Sequence, residues 1–188
     1  MAPTFLTRAL LAVCTLAASV YSHAVDTAPA ASGAQPKAVI ATPDDPSGAG
    51  KLLFESQFKD LNWKLQPIAQ WKGKPMVIYF WATWCKPCVK EVPELIKLYD
   101  EYRGKDVVVL GIAVDNADKV QAFMKERGVT YPVLVGGNEA IDLSKKLGNK
   151  VGGLPFTVIV DKKGHVVKTY LGEVTKPNLE EILKPILS

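Results

Sequence analysis

Six consecutive apolar residues, Met76-Val77-Ile78-Tyr79-Phe80-Trp81, run towards Cys85-Lys86-Pro87-Cys88. Beyond the second cysteine, Val92, Leu95, Ile96 and Tyr99 fall at the spacings i, i+3, i+4 and i+7 of one helix face. A run that is apolar at every position has no side to turn to water. It therefore predicts a strand buried on both faces, at the centre of a sheet covered by helices. Two cysteines two residues apart, between such a strand and a helix, can make and break one short disulfide. That setting separates a redox pair from a chance Cys-x-x-Cys.

The chain has 188 residues and three cysteines. Residues 1–24 read as an export signal. Arg8 supplies a positive start, Ala9 to Val20 an apolar stretch, and Ser22-His23-Ala24 a small-x-small cleavage site, with no acidic residue before Asp26. The apolar stretch is nearer about a dozen residues than the roughly 20 that span a bilayer. Cleavage is therefore the expectation, and it leaves no stable membrane insertion. The alternatives are an uncleaved anchor, or a lipid on Cys14, which Val13 disfavours by its bulk. Either way the domain is exported, to a periplasm where disulfides persist.

Residues 25–50 are rich in Ala, Pro, Gly, Ser and Thr and lack apolar periodicity. They bury too little surface to offset the entropy of ordering and read as a flexible linker. The folded domain is expected over residues 51–188.

With Cys14 in the leader, Cys85 and Cys88 are the only thiols of the mature chain. A disulfide closing so short a loop contributes roughly 2 kcal/mol on the loop-entropy view. It is a poor staple, so redox work is the better reading. The net charge of +4, one unit of it from Arg8, comes without a basic run or an aromatic–basic stripe. Nucleic acid is therefore not an expected partner.

Within the domain, short alternating pieces around Leu52-Phe54 and Trp63-Leu65 predict an N-terminal strand or hairpin, and Gln66 to Gly73 a tight turn. The helix after Cys88 meets Pro93, which cannot donate to the carbonyl of Val89 and should kink it before Gly104 stops it. Val107 to Val114 predicts a second buried strand, Ala117 to Arg127 a helix ended by Gly128, Tyr131 to Val135 a strand, and Glu139 to Leu147 a helix. Phe156 to Val160 and His165 to Leu171 predict an antiparallel pair joined by Asp161-Lys162-Lys163-Gly164. Thr175 can cap a last helix with Leu179, Ile182, Leu183 and Ile186 on one face. The fold class is α/β, a central mixed β-sheet flanked by helices.

Phe80-Trp81-Ala82-Thr83-Trp84-Cys85-Lys86-Pro87-Cys88, then Glu91-Val92-Pro93, then Gly153-Leu154-Pro155 before a strand, resemble the thioredoxin superfamily. Within it, residues 52–188 look like the exported TlpA/ResA-type thiol–disulfide oxidoreductases. The resemblance implies a thioredoxin-like fold with an N-terminal extension, and with Val114 to Tyr131 as a central insert. It implies Cys85 as nucleophile and Cys88 as resolving thiol, with their disulfide as the redox centre and no cofactor or metal.

A helix N-terminus favours an anion, so the Cys85 thiol should ionise readily. Glu91 follows Cys88 by three residues, on the same helical side. Relatives carry a functional glutamate there, which implies a proton acceptor for Cys88. The competing reading is an exposed helix glutamate. Thioredoxins themselves have a buried aspartate six residues before the first cysteine, where this chain has Tyr79. The resemblance further implies a cis Pro155 facing the disulfide, with Leu154 offering its backbone to a substrate. Trp84, Lys86 and Pro87 complete the substrate-binding face, and Trp81 packs beneath. Phe156 departs from the small polar residue that many relatives place after the proline.

The function so implied is a periplasmic protein-disulfide reductase. Its clients would be cysteine pairs of exported proteins such as apocytochrome c or copper-site assembly proteins, and a membrane electron donor would re-reduce it. An oxidase or isomerase is the alternative within the class. Outside it, Cys85 and Cys88 could carry Cu(I), although His165 follows a turn and the methionines form no cluster. A structural zinc site lacks two ligands, and neither cysteine has a peroxiredoxin setting.

Overall fold

The computed structural model describes residues 37–40 and 48–187, so the expected leader and most of the expected linker lie outside the described residues. In chain order the elements are β1 (Lys37–Ile40), α1 (Ala49–Phe54), β2 (Gln57–Lys59), β3 (Leu65–Pro67), a 3-10 turn (Ile68–Trp71), β4 (Met76–Trp81) and α2 (Lys86–Tyr102). There follow β5 (Val108–Ala113), α3 (Ala117–Arg127), β6 (Val133–Val135), α4 (Gly137–Lys146), β7 (Phe156–Val160), β8 (Val166–Leu171) and α5 (Lys176–Leu187).

β4 is buried at every position, as a run with no polar face requires. It pairs in parallel with β5 and antiparallel with β7. The mixed sheet has eight strands in the order β1-β8-β7-β4-β5-β6-β2-β3. Because side chains alternate along a strand, β4 serves two cores. Val77, Tyr79 and Trp81 meet Val92, Leu95 and Leu98 of α2, Val120 of α3 and Leu179 of α5. Met76, Ile78 and Phe80 meet Leu53 of α1 and Ala140 and Leu143 of α4. Each fully buried side chain of this kind contributes roughly 1.5–3 kcal/mol, so both helical layers hold the central strand. This is the thioredoxin-like architecture that the resemblance implied.

The central insert is α3. The Asn116 side chain accepts the Lys119 N–H at 3.0 Å at its start, and Gly128 ends it with φ 64°. α2 runs through Pro93 as one helix. Among the described residues, no helix is long and apolar enough to cross a membrane.

Four expectations are corrected. Leu52–Phe54 is helical, not extended, because Ala49 and Leu53, four residues apart, turn one face into the core. Three residues could not distinguish the two periods. The hairpin is β2–β3, and Trp63 lies in its turn with φ 62°. There Asp60 Oδ1 accepts the N–H groups of Asn62 and Lys64 at 2.8 and 3.0 Å. Finally, the stretch expected as linker contains β1, which pairs antiparallel with β8 from Lys37↔Leu171 to Ile40↔Lys168. The outer edge of β8 presents a row of backbone donors and acceptors that a four-residue strand can satisfy. The domain also starts two residues early, with α1 at Ala49.

Gly111 on β5 lies opposite Tyr79 of β4. A Cβ there would sit 3.0 Å from Val133, 3.1 Å from the Trp81 indole nitrogen and 3.2 Å from Tyr131. All three neighbours are buried and held on other elements. Gly111→Ala is therefore expected to destabilise the protein by about 1–3 kcal/mol through overpacking, read as a lower urea midpoint.

Candidate active site

β4 ends beside the first turn of α2, and Cys85 occupies the N-cap of that helix. A helix leaves its first N–H groups without intrahelical partners. Here the Cys88 N–H points at Cys85 Sγ, at 3.3 Å. Pro87 stands in the first turn, where its missing N–H leaves nothing unsatisfied. The two cysteines are joined as a disulfide with their Cα atoms 5.2 Å apart. Cys85 is 5% exposed and Cys88 fully buried, so an attacking group reaches only the first sulfur.

The chain before the disulfide is tied down by a residue that the sequence reading did not single out. Asp115, just past β5, accepts the Thr83 hydroxyl at 2.5 Å and the Thr83 N–H at 3.3 Å. Asn149 does the same for the facing loop. It is fully buried, donates to the Gly153 carbonyl at 2.8 Å, accepts the Gly153 N–H at 3.1 Å and donates to the Ser144 hydroxyl at 3.1 Å. This clamp orients the next peptide, Leu154–Pro155, which is cis.

A groove of about 750 Å³ opens beside Cys85, with Trp84, Lys86, Pro87 and Leu154 on its walls. These are the residues expected on the substrate face, and Trp84 stands 64% exposed at the rim. The opposite wall, Val114 with Asn138 and Ile141 of α4, was not foreseen. Asn149 had one local signal, an Asx residue in a glycine-rich loop. Asp115 and the α4 wall had none, because the residues they meet are distant in sequence. Phe156 is not part of the groove. It packs on Phe80 in the other core, ring centroids 5.9 Å apart.

Glu91 is not an exposed helix glutamate. It is 3% exposed, beside Tyr79 and Tyr131, and neither of its oxygens has a hydrogen-bond partner. Burial pushes its carboxyl up to about 8; the nearby Val174 N–H and Tyr79 hydroxyl oppose the rise and Glu173 adds to it. Tyr79 instead donates to the Cys88 carbonyl at 3.1 Å. Trp81 packs against Phe123 beneath the site, with centroids 5.1 Å apart. His165 lies in the β7–β8 turn, 3.4 Å from the Asp161 carboxylate. Among the described residues, no three His, Cys, Asp or Glu gather as a metal site would require.

Residues 26–183 match the Redoxin family. The chain is 40% identical to the thiol-disulfide oxidoreductase ResA of Bacillus thuringiensis subsp. konkukian over 147 residues, covering 77% of this chain and 82% of that one. It is 39% identical to ResA of Bacillus anthracis over 130 residues, covering 68% and 72% of the two chains. Among solved structures, a thiol:disulfide interchange protein of the thioredoxin family from Chlorobium tepidum superposes with a TM-score of 0.64 at 27% identity, covering 71% of this chain and 93% of that one.

A carboxyl with a raised pKa binds its proton longer in the folded state than in the unfolded one, so stability falls as pH rises from about 4.5 towards 8. In the oxidised protein, where neither cysteine titrates, urea unfolding should show this fall, with a slope of at most about 1.4 kcal/mol per pH unit. Glu91→Gln should flatten it.

Proposed function

The chain belongs to the Redoxin family and is a TlpA/ResA-like thiol–disulfide oxidoreductase; on that premise we propose that it works in the periplasm, reducing disulfides of exported proteins. One observation carries the reading: Cys85 Sγ stands at the mouth of the groove with the N-terminal N–H of α2 directed at it. An anionic sulfur there is stabilised by the helix terminus and is the nucleophile that disulfide exchange needs.

In the reduced enzyme, the Cys85 thiolate attacks one sulfur of a client disulfide. A bond forms between Cys85 and the client, and the client's other sulfur leaves as a thiolate. Cys88 then loses its proton to Glu91 and attacks Cys85, so the Cys85–Cys88 disulfide forms and the client departs with both thiols free. Two electrons pass from enzyme to client. A dithiol donor in the membrane restores Cys85 and Cys88 by the reverse exchange, and the disulfide is itself the redox centre, without a further cofactor.

The backbone at Leu154 and Pro155 aligns the client strand against Cys85, while Trp84, Lys86 and Pro87 bound it on the near side. The leader-like residues 1–24 support export. Cysteine pairs of apocytochrome c or of copper-site assembly proteins are clients of the required chemistry.

With a disulfide-bonded client peptide, Cys88→Ala should accumulate a mixed disulfide through Cys85, and Cys85→Ala should form none. A reduction potential near thioredoxin's, about −270 mV, fits a reductase; a value near DsbA's, about −120 mV, would replace this direction with oxidation. Trapping of the client on position 88 would overturn the assignment of the nucleophile.

A further inference from the structure

Tyr79 sits at the middle of β4, fully buried, opposite Gly111 of β5 and Thr157 of β7. Among the described residues, the buried side-chain atoms without a hydrogen-bond partner are the Trp81 indole nitrogen, both Glu91 oxygens, the Tyr131 hydroxyl and the Thr157 hydroxyl. Every one of them surrounds Tyr79. Thr157 is its cross-strand neighbour, Trp81 follows two residues on along the same face, and Tyr131 and Glu91 face it across the core. A buried layer that pairs its polar groups so incompletely is uncommon in folded proteins. The phenolic hydroxyl at its centre does have a partner, the carbonyl of Cys88 at 3.1 Å.

We propose that Tyr79 is a positioning residue for the resolving half of the reaction: its hydroxyl holds the Cys88 backbone while the disulfide is closed, and turns to the Glu91 carboxylate when Glu91 is ionised to take the proton of Cys88. This rests on the reading of Glu91 as the proton acceptor. A phenol O–H is a neutral donor, so it stabilises a carboxylate without adding charge. With a small shift of the Glu91 side chain, rotation about the C–O bond turns it from the Cys88 carbonyl to the carboxylate, which Tyr79 already influences. Among the described residues, the other hydroxyl that acts on Glu91 is that of Tyr131, which is likewise unpaired.

The titratable groups that act on Glu91 are Tyr79 from β4, Tyr131 from the segment before β6, and Glu173 from the segment before α5; the Val174 N–H also faces it, and Cys88 precedes it by three residues on α2. Glu173 is itself paired with Lys90 at 3.3 Å. Glu173 disfavours the ionised form of Glu91 and Tyr79 favours it. Removing the Tyr79 hydroxyl therefore leaves the carboxyl protonated to higher pH, and a protonated Glu91 cannot accept a proton from Cys88.

The test is single-turnover kinetics of the full chain with a fluorescent disulfide peptide, resolving formation of the mixed disulfide from its release across pH. For Tyr79→Phe, the pH midpoint of release should rise by about one unit. Release at neutral pH should slow about tenfold more than the first attack does, which corresponds to that shift. In a Glu91→Gln background, Tyr79→Phe should add nothing to the pH profile. A merely space-filling tyrosine would lower stability and leave the midpoint in place.

If Tyr79→Phe superimposes on the wild-type profile while Glu91→Gln alters it, Tyr79 has no such role and the reading of Glu91 stands. If Glu91→Gln leaves the profile unchanged, the reading of Glu91 fails and the proposal with it. An equal shift in both backgrounds would mean that Tyr79 acts on Cys88 directly, which also overturns the proposal. Should the phenylalanine variant not fold, the wild-type protein decides. The Cζ resonance of Tyr79 in the reduced state should titrate with the midpoint of the Glu91 carboxyl, and a flat response would refute the switch.

Discussion

The N-terminus of α2 has backbone donors with nothing inside the helix to receive them, and the chain meets them with sulfur. Most helices place a hydroxyl or carboxylate at this position; here the N-cap is Cys85, and the Cys88 N–H lies 3.3 Å from its Sγ. Everything around it keeps that contact in place. β4 is clamped between two cores, so its last residue fixes where α2 begins. Asp115 holds the intervening turn through Thr83, and Asn149 holds the facing Gly153–Pro155 loop. A sulfur that only covered a helix end would need none of these ties. They make sense when the same sulfur must meet an incoming chain at a defined angle.

The second cysteine lives under a different constraint. Cys88 is closed off from solvent; if it is to act as the resolving thiol proposed above, its proton must pass to a group inside the protein. The one carboxyl within a helical turn of it, Glu91, is buried without a hydrogen-bond partner. That arrangement works against stability, since an apolar core resists the charged form. Local conflict of this kind is expected where function has overridden packing. Burial holds the Glu91 carboxyl in its protonated form to well above the usual carboxylate range, on the same helix as the second cysteine.

Long, strongly patterned elements were legible residue by residue. β4 carries an unbroken apolar run, β7 one interrupted only by Thr157, and α3 has an asparagine cap, a helical stripe and a glycine stop, so their bounds coincide with those read from the sequence. The pair of cysteines and the helical placement of Cys88 and Glu91 were equally readable, because each depends on spacing of four residues or fewer, while the exposed Trp84 was implied by the family resemblance. What escaped depended on partners far along the chain. β1 becomes a strand only because β8 offers an edge some 130 residues later, a difference visible in the register Lys37↔Leu171. α1 is helical only because α4 receives its apolar face. The far wall of the groove comes from Ile141 on α4, and among the neighbours of Glu91 are Tyr131 and the Val174 N–H, neither of which is near it in sequence. Glu91's place on the helix was therefore visible, and its environment was not.

Ionisation of Cys85 in the reduced protein bears most directly on the central contact. Alkylation rates measured across pH, with the modified residue identified by mass spectrometry, give the thiol's midpoint. A midpoint well below the value of about 8.5 for a free cysteine is expected if the terminus of α2 stabilises the thiolate. A midpoint at or above that value would mean that the helix does nothing for the sulfur, and the site would lose its nucleophile.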